Sequence, residues 1–367
     1  MIWARMNVST KKRIGWVITD QLEVMPYWPR INTGVSGISL ARLHWIMPRV
    51  NNDPGSGLYY EVFKPWRRYD GLVFLKAMGD KAHRLARRYL KSGKPVIFDA
   101  NVNYYEIDGV EHYDGMLPTV DQKKAAVAMT VGASAVIGDS EFIAERCRTH
   151  NQSVFWLPDN VEMNQVPLAT NRCKARRLRL VWSGEALKLF ELLLIEECLR
   201  RFSDHIHLVL VTGDLSVLSR WSERYRQRFR RLINDLSVEI TPYRGIEHLF
   251  ATYSQADIVI SPRFLDNSYN LGHTEWKITL GMACGCLAIA SPVPSYRTVF
   301  DRSSGGEIMI CSTPADWTAA FDAILVGGIS KETRVLSTQL VNQYYSSEVL
   351  AKDHCRIVRQ QLADPPN

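Results

Sequence analysis

Short, continuously apolar runs alternate along this chain with longer segments of helical period. In the first half, residues 13–20 (RIGWVITD), 71–77 (GLVFLKA) and 95–101 (PVIFDAN) have strand length, and a basic amphipathic segment, 81–91, separates the second from the third. Residues 126–140 read as a helix end passing into a strand, FIAERCRTH as the next helix and 153–161 as the next strand. Runs without polar alternation suit strands buried on both faces. The strand–helix–strand rhythm then predicts right-handed crossovers and a parallel sheet covered on both sides.

The second half repeats the arrangement without repeating the sequence. Strands are predicted at 177–184, 206–213, 238–245, 256–263 and 286–292, and helices at 186–202, 219–236, 246–255, 276–284 and 332–362. Within 219–236, Trp221, Tyr225, Phe229 and Leu232 fall on one face. Residues 161–177 carry no strong period, one proline and a cluster of bases, as a linker would. The fold class predicted is α/β, with two doubly wound Rossmann-like domains facing a cleft. The division is 1–165 and 166–345, with 346–367 a C-terminal helix packing back on the first domain. No repeat of 20–50 residues is visible, which argues against solenoids and propellers.

The length of 367 residues suits two domains, and 46% hydrophobic with 23% charged residues excludes a wholly disordered chain. The formal charge of +7 favours an anionic partner, whether a phosphate-bearing ligand, a membrane surface or a nucleic acid. The seven cysteines are scattered and form no C-x-x-C pair, which suggests buried thiols in a reducing compartment. No apolar run reaches the roughly 18 residues of a spanning helix, and the N-terminal stretch lacks the apolar core of a secretory signal. The expected setting is cytoplasmic, or peripheral on the inner membrane face. The basic segments 67–71, 83–91 and 220–231 are either solvated, ion-paired faces or, for the N-terminal helix, a surface for anionic lipid.

Ligands of open α/β sheets bind beyond the carboxyl ends of the strands. After 177–182 come Ser183, Gly184 and Glu185, with Lys188 one turn into the next helix, a turn that offers backbone N–H groups and a point charge to an anion. After 256–261 a long loop gathers Arg263, Asp266, Asn267, Asn270, His273 and Lys277. Its amides suit hydroxyls and its cations suit phosphates. Asp99, with Asn101 and Asn103, closes the strand beginning at 95 and is either a turn cap or a base toward the same cleft. No strand is followed by G-x-G-x-x-G, which argues against a dinucleotide-binding dehydrogenase. No convincing Asp-x-Asp metal site is present.

The segment 261–296 resembles the donor-binding region of GT-B glycosyltransferases, in particular the family-4-like group. The matching positions are Asp266-Asn267, Asn270, His273, Lys277, Met282-Ala283, Gly285 and Ala288-Ile289-Ala290-Ser291. LVWSG with Lys188, YSQADIVISPR, and AVIGDSEFIAERC followed by VFWLPDNVE resemble further elements of that family, so the likeness spans roughly 126–300. Where the family has a ribose-binding glutamate this chain has Leu280; Gly272 stands at the other glutamate of its E-x7-E pair, and Glu185 replaces the arginine after Gly184.

The resemblance implies transfer of a sugar from a nucleoside-diphosphate sugar as co-substrate, with no cofactor and no metal, onto a glycan or lipid-linked acceptor in surface-polysaccharide or lipopolysaccharide synthesis. It implies Lys188 and Arg263 at the diphosphate as catalytic residues, and Asp99 or Asp20 as a base if the reaction inverts. The donor would be held by Ser183, Gly184, Asn267, Asn270, His273 and Lys277. Gly34, Ser36 and Gly37, in a glycine loop, would face the acceptor. Two alternatives stay open: transfer to modified DNA of phage type, and a GT-B-shaped binding protein without turnover.

Overall fold

The computed structural model describes residues 11–18, 39–167 and 177–363. The glycine loop with Gly34, Ser36 and Gly37, and also Asp20, lies outside the described residues. Six strands, β1 (Lys12–Ile18), β2 (Leu58–Val62), β3 (Gly71–Leu75), β4 (Val96–Ala100), β5 (Ala135–Gly138) and β6 (Val154–Trp156), form one sheet in the order β2-β1-β3-β4-β5-β6. Six more, β7 (Leu178–Ser183), β8 (Ile206–Thr212), β9 (Val238–Pro242), β10 (Ile258–Ser261), β11 (Leu287–Ala290) and β12 (Ile308–Ile310), form a second in the order β12-β11-β10-β7-β8-β9. Every pairing is parallel. Helices cover both faces, and the central strands β3, β4, β5, β10 and β11 are buried along their whole length. This is the α/β architecture of two doubly wound units that the uninterrupted apolar runs predict.

The pattern missed the short strands β2 and β12, and the helices Ile46–Asn52, Pro294–Asp301 and Pro314–Gly327; of the helix Val120–Gly132 it found only the end. The stretch 186–202 is a 3-10 segment, Ala186–Ile195, followed by a short α-helix, Glu196–Arg201. The predicted terminal helix is two helices, Lys331–Tyr344 and Ser347–Ala363, parted where the chain crosses between the sheets. At that crossing Val161 N–H donates to Tyr345 O (2.8 Å) and Ser347 N–H to Val161 O (2.9 Å). Ser347–Ala363 packs on the first sheet's unit: Leu350, Ala351, Ile357 and Val358 share a core with Ile14, Trp16, Ile46 and Tyr60. His354, buried and stacked on Trp16, shares a 2.8 Å hydrogen bond with the Tyr60 hydroxyl.

A second crossing follows β4. The loop after β4 leaves the first sheet and inserts Tyr113 and Met116 into the core of the second unit, beside Phe190 and Trp221. His112 packs against both the Phe190 and Phe264 rings, with its Nε2 2.9 Å from an Asp266 oxygen and its Nδ1 2.9 Å from the Tyr225 hydroxyl. Gly109, at φ +102°, forms an antiparallel bridge with Asn267; a Cβ there would lie 2.1 Å from Asp266 O. Glycine is required at this contact by both conformation and space. The strap 101–119 therefore ties the two units across the cleft.

Candidate functional site

Between the sheets lies a cavity of about 550 Å³, lined from both units by residues at or just past strand ends. Lys76 follows β3, Asn101 and Asn103 follow β4, Asp139 follows β5, and Asp159 lies three residues beyond β6. Facing them are Ser183 and Gly184 at the end of β7, Gly213 after β8, Tyr243 after β9 and Arg263 after β10, with His273 and Lys277 from the loop and helix that follow. Lys76 holds φ +56°, the one positive value of a non-glycine residue among those described. Backbone strain of this kind persists where surrounding structure enforces it, commonly at functional sites.

The second-unit wall is cationic. Lys188 Nζ is 3.1 Å from His273 Nε2 and 5.2 Å from the Tyr269 ring centroid. Lys277 lies over the Trp182 ring at 4.3 Å, and its Nζ, closed to water, has no hydrogen-bond partner among the described residues. Arg263 is buried and bonded at 2.8 Å to Glu191, itself 0% exposed. Burial first, then the Arg263 charge and more weakly that of Lys188, holds the Lys277 ammonium well below the ordinary lysine range, against the opposing pull of Glu191. Burial, followed by Arg263, Lys188 and Lys277, likewise holds His273 well below the usual imidazole range. Three basic side chains and an imidazole thus share one pocket with one directly bonded carboxylate, an arrangement that an entering anion completes.

Gly184, at φ +155°, lets the turn after β7 pass this wall: a Cβ there would meet Lys277 Nζ at 3.3 Å and the Trp182 ring at 3.1 Å. Ser183 Oγ, on the same turn, hydrogen-bonds the buried Tyr253 hydroxyl (2.8 Å). The helix Trp276–Ala283 begins at the cavity, so its free N–H groups add to the anion-attracting field.

The opposite wall is built from amides and carboxyls. Asn101 Nδ2 donates to Asp139 Oδ2 (2.6 Å), and Thr274 Oγ1 reaches across to donate to Asp159 (2.9 Å). Arg42, 2% exposed, braces this wall from behind: its Nε donates to Asp99 (3.1 Å) and its Nη1 to the Leu157 and Pro158 carbonyls, with Asp159 at 3.6 Å. Among the described residues no three His, Cys, Asp or Glu side chains gather as metal ligands do.

Ser183, Gly184, Lys188, Arg263, His273 and Lys277 are therefore brought together as the sequence suggests. Three others are not. Asp99, 0% exposed, lies within β4, is locked to Arg42 and does not line the cavity, so the base predicted there is a buried structural carboxylate. Asn267 caps the short helix Ser268–Leu271 through Asn270 N–H and pairs with the strap at Gly109. Asn270, fully buried, donates to Phe264 O (2.8 Å). Asn267 is spent on capping the short helix, since a side chain at a helix start satisfies its backbone first; Asn270 Nδ2 holds the loop, its buried Oδ1 has no partner among the described residues, and neither residue lines the cavity. Leu280 lines the cavity where the resemblance led to a glutamate, while the neighbouring Glu275 is buried outside it. The pattern missed Lys76, Asp139, Asp159 and Tyr243. Their one common signal is position at or near the carboxyl end of a strand.

No protein-family profile and no curated protein sequence matches this chain. Its structure is similar to that of HepE from Anabaena, solved with UDP and glucose: TM-score 0.67 at 12% identity, over 95% of this chain and 100% of that one. The chain has the GT-B fold. Sucrose-phosphate synthase from Thermosynechococcus elongatus is also similar (TM-score 0.60, 17% identity, 81% of this chain and 74% of that one). So is AviGT4, a glycosyltransferase of avilamycin A biosynthesis (TM-score 0.58, 11% identity, 96% and 98%). In GT-B terms, the cavity lies between the two units and the strap 101–119 bridges them.

Proposed function

We propose that this protein is a glycosyltransferase that moves a sugar from a nucleoside-diphosphate sugar to a hydroxyl acceptor. The observation that carries this reading is the wall of Lys188, Arg263, His273 and Lys277, with Lys277 Nζ unpartnered, facing a wall of amides and carboxyls across one cavity. The neighbours solved with UDP, or with UDP and glucose, add support. As the bond from the sugar to the diphosphate breaks, negative charge grows on the leaving oxygens. Cations already fixed in a poorly hydrated pocket stabilise that charge without reorganising. Lys277 and Lys188 bear on the diphosphate, Arg263 is oriented by Glu191, and Ser183 and Gly184 shape the turn beneath it. This charge stabilisation comes from the protein's own side chains, so turnover in EDTA is the expected behaviour.

For the acceptor, a glycan or lipid-linked saccharide of surface-polysaccharide synthesis fits best. Helix Asp80–Leu90 turns Arg84, Arg87 and Arg88 to solvent on the first unit, a face suited to the inner surface of an anionic membrane. Among the described residues no helix is long and apolar enough to cross a bilayer. The test is a thermal-shift panel of UDP-, GDP-, ADP-, CMP- and dTDP-sugars on the protein and on Lys277→Ala. Stabilisation by one nucleotide class that the variant loses is the expected result. Silence across the panel refutes the donor site. Binding without release of nucleoside diphosphate in any acceptor fraction would instead identify a non-catalytic binding protein, and a steep salt dependence of DNA binding would point to a DNA acceptor.

A further inference from the structure

Asp139 stands out among the groups on the cavity that the diphosphate does not need. It is 0% exposed and lines the cavity at the end of β5. Its Oδ2 accepts the 2.6 Å hydrogen bond from Asn101, but its Oδ1 has no partner among the described residues. Nor does any salt bridge among those residues reach it, since Arg42 is committed to Asp99 and lies beside Asp159. The structural duty that an aspartate at this point could perform is already filled: Ser140 caps the helix Glu141–Arg148 through Ile143 N–H. Burying a carboxyl without a cation costs stability, and native structures retain such groups mainly where a ligand completes them.

Position says which ligand. Ser140 Oγ contacts Gly272 O (3.4 Å) and Asp159 accepts from Thr274, so the strand ends on either side of Asp139 and Asp159 abut the residues that flank His273. A group hung from a diphosphate seated at His273 and Lys277 therefore meets the Asp139 wall next. We propose that Asp139 reads a hydroxyl of the donor's sugar, with Asn101 fixing the carboxyl's orientation. Burial, then the neighbouring Asp159 charge, pushes the carboxyl well above the ordinary range. A carboxyl that keeps its proton can both donate to a hydroxyl oxygen and accept from the hydroxyl's proton. The cationic wall selects the diphosphate, and this group adds selectivity for a hydroxylated sugar.

The inference rests on the donor reading above, and its test separates the two. Affinities are measured for UDP against UDP-glucose, GDP against GDP-mannose and ADP against ADP-glucose, on wild type, Asp139→Ala and Asp139→Asn. Wild type is expected to bind at least one sugar nucleotide more tightly than its diphosphate. Asp139→Ala should erase about tenfold of that advantage and leave the diphosphate affinity unchanged. Asp139→Asn, which keeps a donor and an acceptor, should retain part of it. Because the buried carboxyl carries no cation, Asp139→Ala should melt no lower than wild type; if it fails to fold, Asp139→Asn serves alone. An advantage untouched by both substitutions, or a wild type that binds diphosphate with no gain from the sugar, overturns the inference. A wild type that binds none of the six ligands overturns the donor site itself.

Discussion

Glu191 sits at the centre of the charge balance, and replacing it by glutamine tests that balance. The side chain is 0% exposed and its Oε1 lies 2.8 Å from Arg263 Nη1, while Arg263 is 4% exposed. Lys188, His273 and Lys277 crowd the same pocket. Glutamine keeps the shape and removes the charge, leaving Arg263 buried with no carboxylate. Breaking a buried pair from one side costs about 3–5 kcal/mol, because the surviving charge stays desolvated. For a unit of roughly 150–250 residues each kcal/mol moves the melting temperature by about 2–4 °C, so scanning calorimetry should show a fall of about 6–20 °C. The second arm adds inorganic pyrophosphate. A wall with one fewer anion should hold it about tenfold more tightly than wild type, a change of about 1.4 kcal/mol. At about a thousand times Kd the ligand also returns about 4 kcal/mol of stability. Melting together with wild type would refute the claim that Glu191 balances Arg263. Weaker pyrophosphate binding would show that Glu191 acts by aiming Arg263 instead.

Two further outcomes are expected. Gly109→Ala forces a Cβ to within 2.1 Å of Asp266 O and 2.4 Å of Asn267 Cα at φ +102°, so the strap must lift. A loss of at least about 2 kcal/mol is expected, with limited proteolysis concentrated in 101–119; a strap still protected would mean that it bears no such contact. Burial, then Asp159, pushes the Glu275 carboxyl up to about 8 from 4.5. The folded state therefore holds this proton more tightly than the unfolded chain. The stabilisation is complete below pH 4.5 and is lost as pH rises through about 8. Glu275→Gln should remove this decline, on the order of a few kcal/mol between the two limits; parallel stability curves for the two proteins would contradict it.

The apolar runs by themselves determined the α/β class and most of the central strands, because a strand buried on both faces has no polar positions to spare. The cationic half of the site was legible too: Lys188, Arg263, His273 and Lys277 follow strand ends where α/β ligands bind. Tertiary structure decided the rest. Asp99 and Asn101 are two residues apart, yet Asp99 falls within β4 against Arg42 while Asn101 falls just past its end, at the cavity. Asn267 and Asn270 have side chains suited to sugar hydroxyls, but Asn267 caps a helix, Asn270 donates to the Phe264 carbonyl, and the fold sets neither on the cavity lining. Asp139 and Asp159 read as unremarkable loop positions until two sheets are set face to face. Periodicity records which side chains leave water, a local property of each strand. Which of the polar groups left over find a partner depends on residues more than a hundred positions away, as Asp159 and Thr274 do, and only the folded chain brings those together.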